Sequence, residues 1–284
     1  MMQKLKCENL TKLMTELTRR VRATKADLVR RTTLSSTTVS DSLNSLVRNG
    51  LVRTAGMMNS DGGRRATIYE INPEYGTFVG VDITNDSISF ALTDAASNLI
   101  SFEKVPVEAD IPVITVLMDR LAGFKSPLAI GLGLDGEIDY RNQIVVSAPG
   151  LKWEMVHLKE IIERLTLSFV QVDHRSNGAA LYEGVLGNAS KLSSYACLFR
   201  DCPDKLSIVI DDFLLRGVGC FSGKGFGSAL TAVLDSLSLE AFISDIQGIE
   251  WIKKITVETK PSRMAEGMAF AARSGWVKSI YFLL

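Results

Sequence analysis

Four short stretches of the chain hold residues of types that could do chemistry, and in each the neighbours decide whether they can act. VDHRSNGAALYEGVLG, residues 172–187, sets Asp173, His174 and Arg175 just ahead of a segment opened by Gly and Ala that reads as a helix. A carboxylate or imidazole at such a point can take a proton. An arginine, protonated throughout the physiological range, cannot. Asp82-Ile83-Thr84-Asn85-Asp86 follows an apolar run, where a phosphate-binding turn would need glycine for its backbone N–H groups to approach an anion. This turn has no glycine, and Asp86 adds negative charge. GLGLDG (131–136) lacks the third glycine and the following helix of a dinucleotide fingerprint, and GKGFG (223–227) lacks the GxxxxGKS/T spacing of a phosphate loop. Both read as turns beside strands. Cys7, Cys197, Cys202 and Cys220 form no ligand pattern and read as free thiols, so neither a metal nor a disulfide is expected. His157 reads as a hydrogen-bonded structural histidine, and Trp153 and Trp251 as core or interface anchors.

The elements that would position these residues fall into two parts. The 284 residues are 46% hydrophobic and 23% charged, a globular composition long enough for two or three cores. No uncharged apolar run is long enough to span a membrane, so no membrane partner is expected. MMQKLKCENL lacks the apolar core of a signal peptide, which predicts a cytoplasmic protein. Residues 1–72 carry 13 Lys and Arg against 6 Asp and Glu, a net of +7, while residues 73–284 carry 19 against 26, a net of −7. A basic N-terminal fifth on an acidic remainder predicts different partners for the two parts, the first anionic.

In the basic part, Leu10, Leu13, Met14 and Leu17 recur at helical spacing. Thr24 can cap a second helix with Asp27 at its third position, and Ala26, Leu28 and Val29 supply its apolar face. After a break at TTL, Ser35 caps a third helix whose buried face is Val39, Leu43, Leu46 and Val47 and whose end is Asn49-Gly50. LVRTAG, NSDGGRR and ATIYEIN then read as a hairpin with a Gly-rich tip. This order is that of a winged helix-turn-helix. Ser36, Thr37, Thr38 and Ser40 are short hydroxyl side chains that let the third helix sit deep in a major groove. Arg64 and Arg65 at the wing tip, with Lys25 and Arg48, are candidates for phosphate or minor-groove contacts. Asp41, on the same face, reads as a solvated or Arg-paired acid off the groove.

From Phe78 the pattern is β-β-β-α-β, then an amphipathic helix LKEIIERL, a buried strand LSFVQV and the helix NGAALYEGVLG. Helices flanking a mixed sheet in that order suit an actin-like fold.

The N-terminal segment closely resembles the winged helix-turn-helix of the ROK family (repressor, open reading frame, kinase), through TKADLVRRTTLSSTTVSDSLNSLVRNGLV and DGGRRATIYEIN. The resemblance continues through VGVDI, IGLGLDGEID and SAPGLKWEMVHL, covering about residues 10–230 and 250–275. It implies an α/β protein: a winged helix-turn-helix (1–73) followed by an actin-like, sugar-kinase or ribonuclease H-like, two-lobed domain (74–284) whose second lobe is truncated. It also implies what a catalytic member would carry here. The family's Asp-x-Gly-Gly-Thr stands at Asp82–Asp86 without its glycines, its Asn-Asp pair stands at His174-Arg175 without the base, and its zinc cluster has only Cys220 nearby. The resemblance therefore points to a DNA-binding transcriptional regulator, a repressor of carbohydrate-related genes, with a non-catalytic kinase-like domain and no cofactor. Its partners would be a double-stranded operator, a second copy in a homodimer or higher oligomer, and a sugar or sugar-phosphate effector. Residues facing a surviving cleft would be Gly136, Glu137, Gly150, His174, Arg175, Asn177 and Glu183. Arg175 would either favour an anionic ligand there or bridge to Asp173 or Glu183. A sugar kinase with unusual motifs and a ligand-blind dimeric DNA-binding protein are the other two readings.

Overall fold

The computed structural model describes residues 2–20, 22–58, 65–199, 202–210, 213–216, 255–258 and 262–279. Arg64, Cys220, Trp251 and the GKGFG segment lie outside the described residues.

The basic part folds as read, with one addition. Helix α1 (Met2–Arg20) is followed by a short strand β1 (Arg22–Thr24), helices α2 (Lys25–Thr32) and α3 (Ser36–Arg48), and strands β2 (Val52–Met58) and β3 (Ala66–Ile71). Strand β1 has no signal of its own in the sequence. It exists because β3 offers it a free edge, giving a three-stranded sheet in the order β1-β3-β2. Thr24 and Asp27 form a reciprocal capping box at the start of α2, and Ser35 accepts the Thr38 N–H at the start of α3. Leu10, Leu13, Met14 and Leu17 of α1 are buried against Leu28, Val39, Leu43 and Leu46. Burying each contributes on the order of 1.5–3 kcal/mol. Two apolar expectations fail. Val47 is 38% exposed and Ala26 is exposed, because each lies at the margin of its helix's inward stripe.

The remainder is built on a five-stranded mixed sheet in the order β11-β7-β4-β5-β6. Strands β4 (Thr77–Ile83), β7 (Ala129–Leu134) and β11 (Phe169–His174) run parallel, while β5 (Ser87–Asp94) and β6 (Leu99–Pro106) are antiparallel additions. The parallel strands are nearly continuous apolar runs because both faces are covered. Val79, Val81 and Ile83 enter one apolar cluster with helices α4 (Val113–Ala122) and α5 (Leu158–Thr166). Phe78, one pleat over, joins the opposite cluster, where it meets the Trp276 ring edge-on at 5.5 Å. A small antiparallel sheet of β8 (Glu137–Asp139), β9 (Ile144–Ala148) and β10 (Trp153–Val156) flanks this lobe, with Trp153 half-buried on its core. His157 differs from expectation. It is the exposed residue just before α5, 3.5 Å from Glu160 and without a capping hydrogen bond.

Helix α6 (Arg175–Val185) leads to a second sheet, β14-β13-β12-β15, formed by β12 (Tyr195–Phe199), β13 (Cys202–Ile210), β14 (Phe213–Leu214) and β15 (Ile255–Glu258). The last described helix, α7 (Ser262–Ser279), returns to the first sheet. It lies almost on the strand backbones. A Cβ at Gly80 would stand 1.8 Å from the Ala265 carbonyl oxygen, and one at Gly131 2.0 Å from that of Met268. Helix α7 also reaches α1. Buried Arg273 donates to the Thr18 carbonyl at 3.2 Å and to the Ala95 carbonyl at 2.7 Å, and burial lowers its pKa to about 10. One apolar cluster accordingly runs from Leu13 to Trp276.

Gly80→Ala is expected to lower unfolding free energy by about 3 kcal/mol, because neither the strand nor the helix backbone can withdraw without opening the core. A urea melt with unchanged stability would show that α7 does not pack this closely.

Candidate functional site

The structure sorts α3 into an inward and an outward face. Val39, Ser42, Leu43 and Leu46 are buried. Thr37, Asp41, Asn44 and Arg48 are all exposed, at spacings of four, three and four that stack them along one stripe. Ser36 is exposed beside them, whereas Thr38 and Ser40 are half-buried. The Thr38 hydroxyl is 2.8 Å from that of Ser35, so it belongs to the helix cap. Asn44 escaped the sequence reading, which followed the run of hydroxyls; the helical period from Thr37 would have found it. An asparagine at such a place can pair with adenine through two hydrogen bonds. Lys25 is half-buried at the start of α2, and Arg65 is exposed at the start of β3.

Not every cation of the basic part is available to a phosphate. Arg22 from β1 and Arg53 from β2 hold Glu70 of β3 from either side, at 2.7 and 2.8 Å. Burial pushes the Glu70 carboxyl up, but these two guanidinium groups outweigh it and hold the pKa below its ordinary value. The three strands of the wing are thereby stitched through one carboxylate. Arg30 is paired with Asp27. Lys25, Arg48 and Arg65 make no ion pair among the described residues.

A second constellation lies where the parallel strands end. Asp82 is the next-to-last residue of β4, Asp135 follows β7, and His174 ends β11. The strands are in register, so Asp82 and Asp173 both stand beside Gly133. Arg175, the first residue of α6, is 6% exposed and places two guanidinium nitrogens 2.6 Å from the two oxygens of Asp82, itself 5% exposed. A third nitrogen lies 3.5 Å from Asp135. The bridge foreseen for Arg175 is thus made to Asp82. Asp173 and Glu183, the two partners expected, lie against Arg216 and Arg263. Asp82 is a buried strand residue and not a turn residue, because the apolar run continues through Ile83 before the chain reverses.

Around this pair the polar groups are buried and joined. His174 is fully buried; its Nδ1 accepts the Ser176 N–H that begins α6, which puts the ring proton of the neutral form on Nε2, 3.1 Å from Asp135. Asp173 accepts from the His174 N–H at 2.7 Å, from Asn177 Nδ2 at 2.8 Å and from Arg216 Nε at 3.0 Å. Ser207 of β13 reaches back to Ser176 and Asn177, both at 2.9 Å, tying the second sheet to α6. The turn after β4 is filled by its own side chains: Thr84 and Ser87 hydroxyls donate to Asp86 and hold its carboxyl below the usual range.

Of the seven residues expected around a cleft, His174, Arg175 and Asn177 come together at this network, while Gly136 lies in the adjoining β7–β8 turn and Glu137 begins β8. Gly136 has φ +157, and a Cβ there would stand 2.4 Å from the Ser147 carbonyl oxygen. Gly150 is exposed in a short 3-10 turn. Glu183 sits at the other end of α6, fully buried, accepting from the Asn188 N–H at 2.7 Å with Arg263 3.4 Å away. Among the described residues no group of three His, Cys, Asp or Glu could hold a metal ion, and no helix is long and apolar enough to cross a membrane.

Residues 78–200 match the ROK family, and the chain carries a ROK domain. It is 30% identical over 222 residues to the xylose repressor of Bacillus spizizenii, covering 75% of this chain and 58% of that protein. It is 29% identical over 239 residues to the xylose repressor of Caldicellulosiruptor bescii, covering 78% of this chain and 60% of that one. The chain thus spans about three fifths of these relatives. In fold it is similar to a solved ROK family transcriptional regulator, a homologue of the E. coli MLC protein. That match has a TM-score of 0.66 and 13% identity over 97% of this chain and 98% of that one.

Two outcomes test this geometry. Arg175→Ala removes the guanidinium partner of a buried carboxylate and should cost about 3–5 kcal/mol, most of it recovered in the double variant with Asp82→Ala; additive losses in a denaturation cycle would refute the coupling. For Glu70, a lowered folded-state pKa means stability present above the unfolded value near 4.5 and lost as pH falls through the folded value. Glu70→Gln should therefore be less stable than wild type by about 1 kcal/mol at neutral pH, since both arginines are half-exposed. The gap should close in acid.

Proposed function

We propose that this chain is a DNA-binding transcriptional regulator, a repressor of carbohydrate-related genes, whose actin-like domain is a non-catalytic effector and dimerisation module. The observation that carries the DNA-binding reading is the exposed stripe Thr37, Asp41, Asn44 and Arg48 on a helix capped by Ser35 and backed by α1. Ser36, Thr38 and Ser40 line the first turns beside it, Lys25 and Arg65 supply cations for phosphate contacts, and Arg64 precedes Arg65 in the sequence. Its polar side chains are short enough for base edges to approach the helix, and the cations bind phosphate irrespective of sequence.

The absence of phosphoryl transfer rests on Arg175. It holds both oxygens of Asp82 and stands where the resemblance puts the base, and a guanidinium does not accept a proton. The xylose repressors named above support a sugar-related regulon. A homodimer gives two half-sites and hence the affinity an operator needs. Such a protein acts on DNA in the cytoplasm.

Selection of bound genomic fragments followed by anisotropy titration tests this. Affinity for the selected site should fall with salt, and Arg48→Ala or Arg65→Ala should each lower the salt slope by about one. Asn44→Ala should instead narrow the gap between selected and random DNA by about 1–3 kcal/mol. A purified protein with no salt-dependent affinity for any fragment refutes the reading. ATP-dependent phosphorylation of a monosaccharide refutes its non-catalytic part.

A further inference from the structure

A cavity of about 340 Å³ opens between α1, α6 and α7, with the β14 segment and the Tyr140–Gln143 turn as its other walls. Its lining includes neither Arg175 nor Asp82. Arg19 of α1, Arg216 after β14 and Lys278 of α7 line it, and no Asp or Glu does so among the described residues. The acids that meet these cations stand behind the wall: Glu16 is 3.6 Å from Arg19, and Asp173 is 3.0 Å from Arg216. Lys278 has no ion pair among the described residues. Lys278 is exposed, and partial desolvation, then the positive fields of Arg216 and Arg19, hold its ammonium below the ordinary lysine range. A third cation placed beside two others without a carboxylate is unfavourable in the empty protein, and an anion would relieve it. The rest of the wall mixes hydroxyl and amide groups, such as Thr15, Gln171 and Ser274, with apolar surface such as Phe270. That combination suits a hydroxylated body with one charged end.

We infer that this cavity binds a small polyhydroxylated organic anion, bearing a carboxylate or phosphate-monoester head, and that the bound anion changes DNA affinity. The second half rests on the proposed DNA-binding function; the first does not. Coupling follows from the walls. Thr15 and Arg19 belong to α1, which packs directly on α3, while Lys278 belongs to α7, which the strand glycines hold against the central sheet. An anion held by Arg19 and Lys278 together bridges the DNA-binding helices to the sheet. It therefore biases any motion between them. The Arg175–Asp82 site cannot serve the same ligand as it stands, because its guanidinium already carries a carboxylate.

Calorimetry on the full chain with glucose 6-phosphate, gluconate and glucose tests the site. The expected result is saturable binding of at least one of the two anions, with glucose binding at least about tenfold more weakly, and the preferred anion identifies the head group. Lys278→Gln should weaken that anion by about tenfold, the loss of one charge-assisted hydrogen bond. Its melting temperature without ligand should be no lower than that of wild type, because Lys278 makes no ion pair among the described residues and its charge stands beside two other cations. Arg19→Gln is a second variant with the same expectation for binding. No saturable heat from either anion, glucose binding as tightly, or Lys278→Gln binding like wild type overturns the site. Where DNA binds and the anion binds, an unchanged DNA affinity overturns the coupling alone; absence of all DNA binding overturns the proposed function and leaves the calorimetric result standing.

Discussion

The backbone-to-backbone contact of α7 with the central sheet is the constraint on which the remaining structure rests. Only glycine at positions 80 and 131 allows the carbonyls of Ala265 and Met268 to lie where side chains would otherwise be. With α7 fixed there, Trp276 reaches Phe78, and Arg273 reaches both the Ala95 carbonyl and the end of α1. The helix that closes the central sheet is therefore also the one that seats the N-terminal helices. Each would lose a wall without the other.

The same packing explains how the ends of the parallel strands can hold a permanent buried charge. Arg175 begins α6 over the ends of three parallel strands, with Gly133 leaving room beside its backbone. A buried guanidinium is tolerable only with hydrogen-bonded compensation, and Asp82 supplies it in two-point geometry. The pair joins β4 to α6 as a structural strut. Asp173, Asn177, Ser176 and Ser207 extend that strut into the second sheet. Polar residues that would serve a ligand in an open cleft here satisfy one another.

Charge is partitioned to match. Beside α3, Arg22 and Arg53 are held by one buried glutamate, while Arg48 and Arg65 make no ion pair among the described residues. In the α1–α7 cavity, by contrast, cations gather with no carboxylate in the wall among the described residues. The net +7 of the first 72 residues states only the sum of these arrangements. Which cations are neutralised is a matter of strand pairing.

Local pattern alone determined the helix-turn-helix order, the caps at Thr24 and Ser35, the hairpin and the alternation of strands and helices, because each rests on residues within one turn or one pleat. It also determined that Arg175 is no base, since that follows from side-chain chemistry wherever the residue lies. The misses share a different cause. Strand β1, the exposure of Val47, the identity of Arg175's partner 93 residues away and the cavity between α1 and α7 all depend on elements distant in sequence. A charged side chain announces its type in the sequence. Its partner is chosen by how strands register and helices cross, and only the tertiary structure decides that.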